Sequence, residues 1–251
     1  DSISTEIVVM VFMLISSLPF ILIFQSVRKA SSEVFKNSQV QFFLFFVGIV
    51  TFIVMLWLKK HYEVDYLQSL RIASFSVISI ATGSGFSTYD FSLWGPFTTT
   101  LFLFIMLIGG CSGSSSCGLK IFRIQILLKS SSTLIKKIIH PRGVFIPNYN
   151  SSEISEEILN SVTGYFFLYL VVFGLLTLIL SFDGQNILTA LSGAAAALAN
   201  VGPGLSEMIG PAGNYSTMTD FSKFFLCVGM LVGRLELFPL LILFSPELWK
   251  R

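Results

Sequence analysis

The stretch Ser79-Ile80-Ala81-Thr82-Gly83-Ser84-Gly85-Phe86-Ser87 decides how the rest of this chain is read. The apolar run before it, Leu70 to Ile80, has room for about three helical turns and is too short to cross a bilayer. A polar connection and a long apolar helix follow. Half-helix, Thr/Ser/Gly loop and spanning helix, in that order, make a re-entrant pore segment. Backbone that is neither helix nor barrel persists at membrane depth only where it lines water or is buried in protein. Glycines set among hydroxyl side chains suit a loop whose carbonyls turn toward an ion. The competing reading is an ordinary outer loop, which the shortness of the preceding helix disfavours.

Composition agrees with a membrane setting. Of 251 residues, 53% are hydrophobic and 12% charged, and the mean hydropathy is +0.79. Soluble domains carry about twice that share of charge. The expected class is an all-α membrane protein. Ile7 to Val27 is the first span, with Pro19 as a site for a kink, and Val40 to Leu58 is the second. Phe97 to Gly110 starts the third, which breaks over Gly109–Gly118 (GGCSGSSSCG) and resumes from Leu119 to Leu128. Each glycine costs a helix interior about 1 kcal/mol against alanine, and serines compete for backbone bonds. A loop outside the membrane would carry more charge, so this is read as a broken transmembrane helix, a flexible external loop being the alternative. Residues 129–160 read as a polar segment.

Gly164 to Phe182 is the next span, and Asn186 to Ala199 is a second short apolar run. Asn200-Val201-Gly202-Pro203-Gly204 is a second loop in the same place; a helix C-cap with a proline turn is its local alternative. A polar connection, Leu205 to Ser222, leads to a last span, Phe224 to Phe244. Pro246, an interfacial Trp249, Lys250 and Arg251 close the chain. The chain opens at Asp1 without a methionine, close to a span, so its N-terminus reads as a cut. Cys111, Cys117 and Cys227 lie in or beside apolar runs and are expected to be small buried residues.

Basic residues set the orientation. Arg28, Lys29, Lys36, Arg123, Lys129, Lys136, Lys137, Arg142, Lys250 and Arg251 fall on one side, against Lys59, Lys60, Arg71 and Lys223 on the other. The richer side is expected to be cytoplasmic. Both glycine loops then open outward, below half-helices whose C-terminal partial negative charge favours a cation.

The chain also repeats itself. Phe42-Phe43-Leu44 opens one span and Phe166-Phe167-Leu168 another; Met106-Leu107-Ile108-Gly109-Gly110 follows the first loop and Met230-Leu231-Val232-Gly233-Arg234 the second. The shared order of elements makes these parallel repeats around an axis along the membrane normal. The expected division is 1–37, the last helix of a preceding repeat and a linker; 38–142, a helix–pore helix–helix unit with a broken second helix; and 143–251, a further such unit. Two loops supply half of a fourfold filter, so further pore units are required.

Three stretches carry a resemblance: Ser79 to Phe97 (SIATGSGFSTYDFSLWGPF), Leu107 to Lys120 (LIGGCSGSSSCGLK), and Ala197 to Leu205 with Met230 to Glu236 (ALANVGPGL, MLVGRLE). Together with His140-Pro141-Arg142 they resemble the Trk/Ktr/HKT superfamily of potassium transporters, in particular its TrkH-like membrane subunits. The resemblance implies four pore units in one polypeptide, of which this chain is similar to the third and fourth. It implies potassium ions held at Thr82, Gly83, Ser84 and Gly85 and at Asn200, Val201, Gly202 and Pro203. It implies a gate in the broken helix, at Gly109, Gly110, Gly113, Gly118 and Lys120, and an Arg234 that faces the pore. It further implies a homodimer in the bacterial inner membrane, bound to a cytosolic nucleotide-binding regulatory subunit (TrkA-like). Two departures stand out. Gly83 and Ser84 interrupt what is usually a threonine run, and Ser115, Ser116 and Cys117 replace glycines of the gating loop.

Arg234 stands mid-span, where a charge costs at least about 2.5–3.5 kcal/mol. Either it is held by a structural partner, such as loop carbonyls or a carboxylate, or it is a fixed charge in the conduction path. Lys120 also reads as a snorkelling interfacial lysine. No catalytic constellation, phosphate loop or metal-ligand spacing is present, so neither an enzyme nor a nucleic-acid partner is expected. The alternatives kept beside potassium uptake are a cation-coupled symporter of another solute and a sodium-permeable member of the same superfamily.

Overall fold

The computed structural model describes residues 2–29, 33–62, 64–150 and 152–235, without the side chains of Lys29 and Glu33. Ten helices run in the order α1 (Ile3–Ser16), α2 (Phe20–Lys29), α3 (Glu33–Lys36), α4 (Ser38–Tyr62), α5 (Tyr66–Thr82), α6 (Pro96–Leu107), α7 (Ile121–Ile139), α8 (Glu156–Phe182), α9 (Ile187–Ala199) and α10 (Asp220–Leu235) among the described residues. One two-stranded hairpin, β1 (Asn148–Tyr149) with β2 (Ser152–Glu153), sits between α7 and α8.

The 25-residue α4 and the 27-residue α8 are long and apolar enough to cross a bilayer. Along α4, Val40, Phe43, Val47, Val50, Val54 and Leu58 are buried, a stripe at helical spacing. Phe45, Phe52 and Leu56 point outward and stay exposed. An apolar residue on the outer face is what lipid, rather than water, requires. Ser155 caps α8 by accepting from the Ile158 amide, and Glu156 and Glu157 follow in its first turn, where the helix dipole favours them.

Several boundaries differ from the sequence expectation. The span expected over Ile7 to Val27 is two helices, α1 and α2, bent by 103° at Ser17-Leu18-Pro19. Proline removes one backbone donor and clashes with the preceding turn; here a second feature completes the break. The Ser17 carbonyl accepts from Cys111 and the Ser16 carbonyl from Ser115, so the bend is locked by the broken loop of another helix. The half-helix begins at Tyr66, not Leu70, and is 17 residues long. α7 continues to Ile139, well past Leu128, so much of the expected polar segment is an exposed basic helix. Cys111 and Cys117 are buried as expected, but Cys227 is exposed on α10. The last span is described only through Leu235; Glu236 and the expected stop at Pro246 to Arg251 lie outside the described residues.

The two helices that precede the glycine loops, α5 and α9, occupy the interior. Nearly all of α5 from Ile72 onward, and of α9 from Thr189 onward, is buried. Five of the last six residues of α9 are alanine, which lets neighbours approach its backbone. On α10, Gly229 and Gly233 are the approach points. A Cβ on Gly233 would lie 2.0 Å from the Leu198 carbonyl oxygen, and one on Gly229 2.7 Å from Leu176. Small residues four apart permit this close helix packing where apolar burial gives no preference over lipid.

Candidate ion-conduction site

Both half-helices end in the same backbone device. Gly83 caps α5 in the left-handed region (φ 72°), and Asn200 caps α9 there (φ 52°). The Gly83 amide donates to the Ile80 carbonyl at 3.1 Å, and the Asn200 amide to that of Ala197 at 3.2 Å. The next amides reach one residue further back, Ser84 to Ser79 and Val201 to Ala196, each at 3.0 Å. Asparagine is among the few residues other than glycine that tolerate this conformation. Two residues beyond each cap stands a glycine with positive φ, Gly85 (73°) and Gly202 (107°). Gly83, Ser84 and Gly85 are thus equivalent to Asn200, Val201 and Gly202. The C-cap reading of Asn200 holds as local geometry, and the repeat holds at the same position.

The two loops lie side by side in backbone contact. A Cβ on Gly85 would fall 2.0 Å from the Val201 carbonyl oxygen and 3.0 Å from Pro203 Cδ; one on Gly83 would sit 3.4 Å from the Ala199 carbonyl oxygen. Thr82 is buried, and its hydroxyl bonds to the Ser79 carbonyl and, at 2.9 Å, to the Ser84 hydroxyl. Asn200 turns its side chain away from the loop, donating to the Met230 carbonyl at 3.1 Å. The side chains of Thr82, Ser84 and Asn200 are thus engaged in holding the loops.

The broken segment packs against the same place. A Cβ on Gly118 (φ 82°) would lie 3.6 Å from Ala199 Cβ, at the end of α9. The two sides of the break are stitched by a parallel bridge between Ile108 and Leu119, with Gly109 donating to Leu119 at 2.9 Å and Leu119 to Leu107 at 3.0 Å. Gly109 meets this strand so closely that a Cβ would fall 1.9 Å from the Cys117 carbonyl oxygen. The residues that depart from a glycine-rich loop each hold something. Ser116 Oγ accepts from the Gly110 amide at 2.9 Å, Ser115 Oγ donates to the Ser16 carbonyl at 2.9 Å, and Cys117 Sγ lies 3.5 Å from Arg234. Gly113 is exposed at the tip, and Lys120 stands half-buried as the N-cap residue of α7.

Arg234 donates to the Ser115 carbonyl at 2.8 Å, so among the described residues a loop carbonyl is a partner of this charge. It lines a small polar cavity of about 180 Å³ together with Ser114, Ser115, Ser116, Cys117 and Lys120. Sequence reasoning missed the role of the connection after the second loop. Tyr215, read only as part of a polar link, donates its hydroxyl to the Gly202 carbonyl at 2.6 Å. No periodicity marks such a residue, since the contact depends on how the link folds back.

A family model described as TrkH, cation transport protein, matches residues 1–251. The chain belongs to the TrkH family. It is 40% identical over 241 residues to the Trk system potassium uptake protein TrkI of Halomonas elongata, covering 96% of this chain and 49% of that one. To the Trk system potassium uptake protein TrkH of the same organism it is 35% identical over 254 residues, covering 52% of it. The crystal structure of the potassium transporter TrkH from Vibrio parahaemolyticus superposes with a TM-score of 0.90 at 35% identity, covering all of this chain and 54% of that one. The fold is that of a helical membrane protein of the TrkH family, and the chain spans about half the length of the relatives it matches.

Proposed function

We propose that this chain contributes two pore units, residues 38–142 and 143–251, to a potassium uptake pathway, with residues 1–37 ending a preceding unit. Potassium is the cargo, and its hydration shell is replaced by carbonyls of Thr82–Gly85 and Asn200–Pro203. The observation that carries this reading is the lateral backbone contact of two identically capped loops at Gly85 and Val201. The broken segment Gly109–Lys120 is the gate beside them, and Arg234 clasps it through Ser115. The named relatives are potassium uptake proteins, which supports the choice of ion.

The pathway is completed by further pore units in the lipid bilayer of a bacterial inner membrane, as a homodimer bound to a nucleotide-binding regulatory subunit. The exposed basic face of α7, with Lys136 and Lys137, is the docking surface for that subunit. Neutralising both lysines should weaken regulator binding in a pull-down or titration, and unchanged affinity would refute the docking. Transport itself is tested by rubidium uptake into proteoliposomes holding the complete protein. Uptake without any organic solute, suppressed by potassium more than by sodium, is expected. Strict dependence on an organic solute would replace this reading with a symporter, and equal suppression by sodium with a sodium-permeable channel.

A further inference from the structure

We propose that Tyr215 is a positioning residue of the second filter loop. Its hydroxyl fixes the Gly202 carbonyl and thereby sets how sharply the filter discriminates between ions. This rests on the filter reading of residues 200–203 given above.

Gly202 has φ 107° and open space where a Cβ would stand, so no neighbour packed on that face holds the peptide that follows it. Its peptide nitrogen belongs to proline and carries no hydrogen. The carbonyl is therefore the only polar group of that unit, and an outside donor is the only bond that can hold it. Tyr215 is that donor, at 2.6 Å. A carbonyl oxygen has two lone pairs, so one remains for an ion when the other accepts from the phenol.

Tyr215 is itself held firmly. The link folds back on the loop through Gly204 donating to the Ile209 carbonyl at 2.6 Å and Asn214 to that of Met208 at 3.0 Å. Asn214 Oδ1 accepts from the Ser216 amide and caps the short turn Tyr215–Thr217, and Lys223 Nζ donates to the Ser216 carbonyl at 3.2 Å. The ring packs against the core formed by Ile209, Met218 and Leu226. The effect reaches the first loop as well, because Pro203 packs beside Gly85.

The test uses the complete protein in proteoliposomes, with rubidium uptake measured under sodium competition. Tyr215→Phe keeps the ring and removes the bond, and should lower the preference for rubidium by about two- to tenfold. Tyr62→Phe is the control. It removes a hydroxyl-to-carbonyl bond of similar length, 2.7 Å to Leu93, in the outer link of the other unit. It should lower thermal stability and leave the ion preference unchanged. Replacing Tyr215 by 4-aminophenylalanine keeps a donor at the same place, and the native ion preference should be retained. An unchanged preference in Tyr215→Phe overturns the inference, as does a lost preference in a folded 4-aminophenylalanine protein should the phenylalanine variant not fold. Full uptake by Gly85→Ala would instead overturn the filter reading itself, so the two failures are distinguishable.

Discussion

Gly85→Ala adds one methyl group where the two loops touch, and its cost follows from the contact geometry. The new Cβ would stand 2.0 Å from the Val201 carbonyl oxygen, where contacts begin at 3.0 Å, so one loop must move by about 1 Å. No side-chain rotation relieves the clash, since the obstacle is backbone. Holding alanine at φ 73° adds about 1–2 kcal/mol. Forcing a methyl into packed backbone adds about 1–3 kcal/mol. The sum, about 2–5 kcal/mol, is set against the correctly formed pair of loops. At about 1.4 kcal/mol per factor of ten, the population with both loops correctly formed falls at least tenfold. Neighbouring glycines calibrate this. Gly83→Ala has only an ordinary 3.4 Å contact and Gly202→Ala none within 4 Å, so each carries the backbone strain alone. Gly83→Asn should be nearly neutral, because Asn200 already occupies the equivalent cap. The assay is rubidium uptake at matched protein loading, with a thermal melt to show that each variant is folded. A folded Gly85→Ala protein with native uptake and ion preference would refute the reasoning. So would a Gly83→Ala variant more damaged than Gly85→Ala.

Three further outcomes are expected. Arg234→Gln removes a charge-assisted bond to the Ser115 carbonyl, of a kind that contributes about 1.5–3 kcal/mol, so the loop should open more often and rubidium uptake rise about tenfold or more; no rise would count against a clasp. Gly48→Ala in α4 and Gly174→Ala in α8 meet nothing within 4 Å, and each should stabilise the fold by about 0.5–1 kcal/mol, seen as a higher melting temperature in detergent; a lower one would contradict the open surroundings. Asp183, just beyond α8, accepts hydrogen bonds from Ser222 and Thr219 at the start of α10, which hold its carboxyl below the ordinary value of 3.8. Its contribution is present above that ordinary value and is lost as pH falls through the lowered one. Asp183→Asn should therefore melt lower than the native protein at neutral pH and lose less on acidification; parallel melting curves would exclude the role.

Much of the architecture was legible because lipid imposes long apolar helices. The runs around Val40–Leu58 and Gly164–Phe182 announced α4 and α8 by length alone; α8 ends at Phe182 as expected, while both ends of α4 and the start of α8 run on into polar residues. The end of α9 was placed at Ala199, since Asn200-Val201-Gly202-Pro203 cannot continue a helix. Pro19 marked a weak point but not a 103° turn, because the partner that completes the turn is a loop nearly a hundred residues away. Exposure of Cys227 was likewise hidden, since an apolar helix in lipid reads the same on its outer and inner faces.

The sequence by itself determined a helical membrane protein, the position of both glycine loops, and the break at Gly109–Gly118. These depend on local backbone preferences and on runs of apolar residues, which are written in order along the chain. Only the tertiary structure decided that Gly85 abuts Val201, that the Ser115 carbonyl holds Arg234, and that Tyr215 reaches Gly202. Those contacts join segments far apart in sequence, and their partners are mostly backbone carbonyls, which every residue carries alike.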